Sequence, residues 1–198
     1  MSGTRIVLAE DEALIRLDLR ESLINEGYEV VGEAGDGAEA IELVKKTKPD
    51  VAILDIMMPV MDGITAAREI TADRLAAVVI LTAYPQRDLV DQATEAGVMA
   101  YLLKPVQHDR LAPTIDVAIA RFREMQVATS QAESMTERLE ARKVTDRAKG
   151  VLMDKHGYNE GTSYRFLQRE AMAKRTTIKA VAQKVIDGEL EPPPPGEQ

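Results

Sequence analysis

The chain has 198 residues, no cysteine, no tryptophan and a formal net charge of −8. That length has room for one typical domain and a small second one. The missing cysteines exclude disulfides, thiolate metal sites and thiol catalysis, and no apolar run nears the length of a membrane span, so the expectation is a cytoplasmic protein with no membrane partner and no signal peptide.

Ile6-Val7-Leu8-Ala9 is a short apolar run that ends in Glu10 and Asp11. From Asp11 to Glu26, Leu14, Ile15, Leu19 and Leu23 fall at helical spacing, and Gly27 stops the helix. Val30-Val31-Gly32-Glu33 reads as a second strand, followed by a helix from about Ala38 to Lys46 that ends before Pro49. A third run, Val51-Ala52-Ile53-Leu54, closes on Asp55. Met58 to Gly63 is a loop, and a helix covers Ile64 to about Ala72. Val78-Val79-Ile80-Leu81 leads to Thr82, Pro85 ends the loop beyond it, and Gln86 to Ala96 is the next helix, terminated by Gly97. Ala100-Tyr101-Leu102-Leu103 leads to Lys104-Pro105. Strands alternating with amphipathic helices predict a doubly wound α/β fold on a five-stranded parallel sheet.

A fifth helix is expected to begin close to Pro113, since proline is tolerated in the first turn. No Gly or Pro then occurs until Gly150. Ile115, Ala118, Phe122, Met125, Thr129, Ala132, Thr136 and Leu139 step by three and four, a coiled-coil-like seam with a weak centre that predicts pairing with another chain. Three helical stretches follow, each with one narrow apolar stripe, which together predict a small bundle. The first carries Ala141, Val144, Ala148, Val151 and Leu152 to His156-Gly157, with Gly150 expected to permit close helix packing. The second opens at Asn159 and carries Tyr164, Leu167 and Ala171; the third opens at Thr176 or Thr177 and carries Ile178, Val181, Ala182 and Val185. The proline-rich end reads as disordered.

In a parallel sheet the ligand site lies at the carboxyl ends of the strands. Three carboxylates (Glu10, Asp11, Asp55), the Thr82 hydroxyl and the Lys104 ammonium are therefore expected on one rim. Clustered hard oxygens suit Mg²⁺, Asp55 is a carboxylate nucleophile able to take a phosphoryl group, and Lys104 can offset charge on the phosphoryl oxygens. With Met58-Pro59, Asp62-Gly63 and Tyr101, these residues resemble the receiver domain of two-component response regulators over roughly residues 4 to 123. The resemblance implies the flavodoxin-like fold and phosphorylation of Asp55 by a sensor histidine kinase. It also implies Mg²⁺ at Glu10, Asp11, Asp55 and the Met57 carbonyl, a switch built from Thr82, Tyr101 and Lys104, and a cis Lys104-Pro105 bond.

Charge is divided unevenly. Residues 1–137 hold 13 basic against 24 acidic side chains, while residues 138–191 hold 12 against 8. A basic rear segment suits an anionic partner. Residues 141–153, with Ala148-Lys149-Gly150 at their centre, resemble the start of an ANTAR domain, as do Tyr164, Phe166-Leu167-Gln168-Arg169 and Thr177 to Ala182. The expected organisation is a receiver at 1–123, a coiled-coil helical linker at 124–137, a three-helix ANTAR module at 138–190 and a disordered tail at 191–198. The resemblance implies binding to RNA hairpins and transcription antitermination. Arg142, Lys149, Arg165, Arg169, Lys174, Arg175 and Lys179 could neutralise phosphates, with Lys149, Arg169, Arg175 and Lys179 the expected contacts and Tyr164 on a loop base or in the core. Dimers are expected on phosphorylation. A DNA-binding or protein-interaction output stays open as the alternative; an enzymatic one is not expected, since residues 124–198 hold no clustered acids, no His pair and no glycine-rich phosphate loop.

Overall fold

The computed structural model describes residues 3–83, 87–190 and 192–193, and all of His108 except its side chain. Pro85, Gln86 and most of the proline-rich tail lie outside the described residues. The chain forms two compact units, Met1–Val127 and Ala128–Gln198.

In the first unit, β1 (Arg5–Ala9), β2 (Glu29–Ala34), β3 (Val51–Asp55), β4 (Ala77–Thr82) and β5 (Ala100–Leu103) form one parallel sheet in the order β2-β1-β3-β4-β5. Successive side chains of a strand point to opposite faces, and both faces here are apolar. Ile6, Leu8, Val51, Ile53, Val79 and Leu81 meet α1 (Ala13–Asn25) and the first turns of α5 (His108–His156). Val7, Ala9, Ala52, Leu54, Val78 and Ile80 meet α2 (Gly37–Thr47) and α3 (Gly63–Ala72), with Leu89 of α4 (Arg87–Glu95) at the border. Burial on both faces is why β1, β3 and β4 read as unbroken apolar runs. The order reverses between β1 and β3, which opens a crevice at their carboxyl ends.

The first helix starts at Ala13 and not at Asp11, because Glu12 is extended (φ −76, ψ 107) and Asp11 remains in the turn after β1. Asp36 caps α2 by accepting from the Ala38 and Glu39 amides, and Asp62 caps α3 by accepting from Thr65.

The fifth helix departs most from expectation. It starts at His108, five residues before Pro113, which sits inside it. The amide that proline lacks would have bonded the Asp109 carbonyl, and Asp109 is exposed, so water can take that oxygen. The supposed seam divides. Ile115, Ala118 and Phe122 are buried against the receiver sheet with Met125 packed beside them, so they are core rather than a partner-facing stripe. From Val127 to Glu140 nearly all side chains are exposed, Met135 and Leu139 among them.

In the second unit the end of α5 packs with α6 (Glu160–Ala173) and α7 (Ile178–Ile186) around Ala148, Leu152, Tyr158, Phe166, Leu167, Ala171, Val181, Ala182 and Val185. Asn159 and Thr162 form a capping box on α6, and Thr177 caps α7 by accepting from the Ala180 amide. Tyr158 and Phe166 meet edge to face at 5.8 Å, and the Tyr158 hydroxyl donates to the Pro193 carbonyl at 2.6 Å. The start of the proline-rich tail is thus tied to the bundle, against the expectation of disorder from 191 onward. Gly150 makes no close helix contact: a Cβ there would meet nothing within 4 Å.

Candidate functional site

The register of the sheet carries three charged groups to one edge, at the carboxyl ends of β1, β3 and β5. Glu10 is the first residue past β1, where its amide still donates to the Ala34 carbonyl. Asp55 is the last residue of β3, and Lys104 follows β5, its amide donating to the Thr82 carbonyl at 2.8 Å. Lys104 Nζ lies 2.5 Å from Glu10 Oε2 and 2.9 Å from Asp55 Oδ1. The Lys104-Pro105 bond is cis. Glu10 is fully buried and, apart from the ammonium, its carboxylate oxygens find no well-formed hydrogen bond among the described residues. Arg16 donates to the Glu10 carbonyl and approaches Glu33 from the other side; nothing in the sequence pattern singles it out.

These groups bind each other unequally. Burial and the neighbouring Asp55 charge raise the Glu10 pKa, although the Lys104 hydrogen bond works against them. For Lys104, burial disfavours the charge, but hydrogen bonds to Glu10 and Asp55 outweigh it and raise the pKa. One ammonium shared by two carboxylates is therefore held charged, while the more buried of the two acids remains under-compensated.

Asp11 stands exposed at the rim. Glu10, Asp11 and Asp55 each offer an oxygen, and these atoms lie within 4.8 Å of one another. That donor set fits a small hard cation: three carboxylates, one of them buried with oxygens short of donors, concentrate negative charge that a single ammonium does not balance. Asp11, Asp55, Met57, Thr82 and Lys104 line one open cavity of about 1,210 Å³. Thr82 is buried, whereas Tyr101 is 53% exposed; both line a second cavity of about 490 Å³ bounded by α4, β5 and α5. Gly63, which the sequence marks only by the Asp62-Gly63 pair, packs directly on the Asp55 backbone.

In the second unit Lys149, Tyr164 and Lys179 come together along one groove of about 670 Å³, joined by Arg138 and Arg142. Arg169 and Arg175 do not line it. Tyr164 is 44% exposed, so it is not a core residue; Phe166 takes the core position instead.

Comparison with known proteins decides the family. The response regulator receiver domain matches residues 6–116, and the ANTAR domain matches residues 133–186. The chain belongs to the response regulators. The transcriptional regulatory protein PdtaR of Mycobacterium tuberculosis is 52% identical over 183 residues, covering 92% of this chain and 89% of PdtaR. The signal receiver domain of NarL from Mycobacterium tuberculosis superposes with a TM-score of 0.57 at 35% identity, covering 60% of this chain and 98% of that one. The receiver domain of the sensor histidine kinase PA1611 from Pseudomonas aeruginosa, solved with a magnesium ion coordinated in its active-site cleft, gives 0.55 at 28% identity over 60% of this chain and 99% of that one. This response regulator, with its receiver and ANTAR output, is controlled by phosphorylation and acts through RNA in transcription antitermination. Receiver domains bind Mg²⁺ at an acidic pocket of this kind, and their partner is a histidine kinase. The receiver and ANTAR families are not known enzyme families. No helix among the described residues is long and apolar enough to cross a membrane.

Proposed function

We propose that Asp55 is the phosphoacceptor of this response regulator and that its phosphorylation controls RNA binding by the rear unit. The observation that carries the reading is the Lys104 ammonium, poised 2.9 Å from Asp55 Oδ1 beside an open cavity. Asp55 attacks the phosphorus of a phosphohistidine on the sensor kinase; the P–N bond breaks, a P–O bond forms, and the histidine leaves with its electron pair. Lys104 then follows the phosphoryl oxygens, and the Thr82 hydroxyl donates to one of them. Glu10, Asp11, Asp55 and the Met57 carbonyl would hold Mg²⁺, which would supply further positive charge for the transfer. Movement of Thr82 carries the change to Tyr101, with which it shares a cavity.

The downstream response is RNA hairpin binding by the rear unit, with no catalytic step of its own. The outward-facing Val127, Met135 and Leu139 on α5 support a homodimer that forms on phosphorylation. The absence of cysteine supports action in the cytoplasm.

The test compares wild type with Asp55→Asn, which keeps the shape and removes the nucleophile. After incubation with Mg²⁺ and a small-molecule phosphodonor, intact mass should show one added phosphoryl group on wild type alone. Equal labelling of the variant rejects Asp55. Sedimentation of the two samples should show a heavier species only for the phosphorylated protein.

A further inference from the structure

The cationic side chains of the second unit are spread over α5, α6, α7 and the turn between the last two, and charge alone does not choose between them. The groove does. It runs between residues 137–149 of α5 and the start of α7, and Tyr164 of α6 lines it, 44% exposed. Arg138, Arg142 and Lys149 contribute from α5 and Lys179 from α7. Among the described residues neither Arg138 nor Lys179 has an ion pair, Arg142 has a loose one with Asp146 at 3.8 Å, and Lys149 is held by Asp146 at 2.8 Å and Glu160 at 3.3 Å. Glu137 and Asp146 also line the groove, but its four cations outnumber them. Arg138, Lys179 and the loosely paired Arg142 are thus available to a ligand, and Lys149 is already fixed in place.

A ligand that fits this arrangement has a flat aromatic part and flanking negative charge. A nucleobase stacks on an exposed tyrosine, and the phosphates on either side of it reach separate cations. A base inside a duplex cannot present its face, so the nucleotide must be unpaired. The groove also holds Thr177, whose Oγ1 accepts from the Ala180 amide as the α7 cap. The hydroxyl proton is left over, and a ribose 2′-OH is an acceptor for it.

We infer that this groove seats one unpaired ribonucleotide of a hairpin loop, its base on Tyr164 and its phosphates on Arg138, Arg142 and Lys179, with Arg169 and Arg175 outside the contact. The inference rests on the RNA-binding reading of the rear unit. It changes the sequence-based phosphate set, leaving out Lys149, Arg169 and Arg175, moving Arg142 into the contact and adding Arg138 of α5. Three of the groove's four cations sit on α5, the helix that begins in the receiver unit.

The test uses full-length phosphorylated protein and a pool of RNA hairpins with one constant stem and randomised loops containing 5-iodouridine. Irradiation joins that base to an aromatic ring stacked on it, and digestion with mass mapping finds the peptide. Crosslinks are expected at Tyr164 in wild type and on the ring of Tyr164→Phe. Tyr164→Ala should retain the pool about tenfold less well. The double variant Arg138→Gln, Arg142→Gln should lose affinity several-fold and shallow the salt dependence by roughly one unit. The double variant Arg169→Gln, Arg175→Gln should bind as wild type. All these side chains are exposed, so thermal melts should match. The same loops made as DNA should bind more weakly. If the pool is retained but crosslinks fall outside the groove, or if only the Arg169 and Arg175 substitutions weaken binding, the groove is wrong and RNA binding stands. If wild type retains the pool no better than the constant stem closed by a minimal loop, RNA binding itself fails, and the groove with it.

Discussion

A Cβ added at Gly63 would stand 1.9 Å from the Asp55 carbonyl oxygen and 2.8 Å from its carbonyl carbon. Two backbone segments meet here without a side chain between them: the end of β3, which carries Asp55, and the first residue of α3. The Gly63 amide donates to the Ile56 carbonyl at 3.0 Å, which fixes the approach. The glycine is required by space, since any side chain here would push against the backbone that carries Asp55.

Gly63→Ala should therefore harm both stability and chemistry. Backbone cannot yield as a side-chain tip does, so a cost of about 1–3 kcal/mol is expected. Phosphorylation by a small phosphodonor should slow by more than the unfolded fraction explains, because Asp55 is displaced. A variant with unchanged melting and labelling would refute the contact.

The acidic cluster gives a second prediction. Without a cation, Glu10, Asp11 and Asp55 repel one another, and Lys104 balances only part of the charge. Mg²⁺ should raise the melting temperature of wild type by mass action, about 2.7 kcal/mol at a concentration one hundred times Kd. Asp11→Ala should lose most of that increment and melt higher than wild type in chelator. Equal Mg²⁺ responses in the two proteins would exclude Asp11 from the shell.

The cap of α3 supplies a pH prediction. Burial works against the Asp62 charge, but hydrogen bonds from the Thr65 amide and hydroxyl outweigh it and hold its pKa below the ordinary value of 3.8. A lowered folded pKa means stability that is present above the unfolded value and lost as pH falls through the folded one. Asp62→Ala should cost about 1 kcal/mol at neutral pH. Because Asp62 is exposed, only a small part of that is charge. The gap from wild type should narrow as pH drops below 3.8. Denaturant melts of both proteins across that range check it, and a gap that widens in acid would contradict the sign.

How much of this was legible in the sequence varies with the cause. Glu10, Asp55, Thr82 and Lys104 could be placed because each ends an apolar run, and a parallel register brings run ends to one edge. The division of the α5 seam could not be read. A helix face that packs on a sheet and one that packs on another helix share the same three-and-four spacing, so Phe122 and Leu139 look alike until the sheet is present. Tyr164 and Phe166 exchange roles for a related reason. Tyr164, Leu167 and Ala171 make one plausible stripe, and Ser163, Phe166, Leu167 and Ala171 another turned by a single position; only the packing of α7 decides. That Arg138, Tyr164 and Lys179 share one groove could not be read, because they are distant in sequence and stand on three different helices.

Gly150 offers the sharpest remaining test, since sequence and structure disagree about it. A glycine inside a helix costs about 1 kcal/mol relative to alanine and usually implies a close neighbour. Here a Cβ would meet nothing within 4 Å, and the residue does not line the groove. Its φ is not positive either, so alanine is free to adopt the same backbone. Gly150→Ala should stabilise the rear unit by about 0.5–1 kcal/mol, read as a higher denaturant midpoint with an unchanged slope. Retention of the hairpin pool should be unaltered. A lower midpoint would show that the space beside Gly150 is filled in the folded protein.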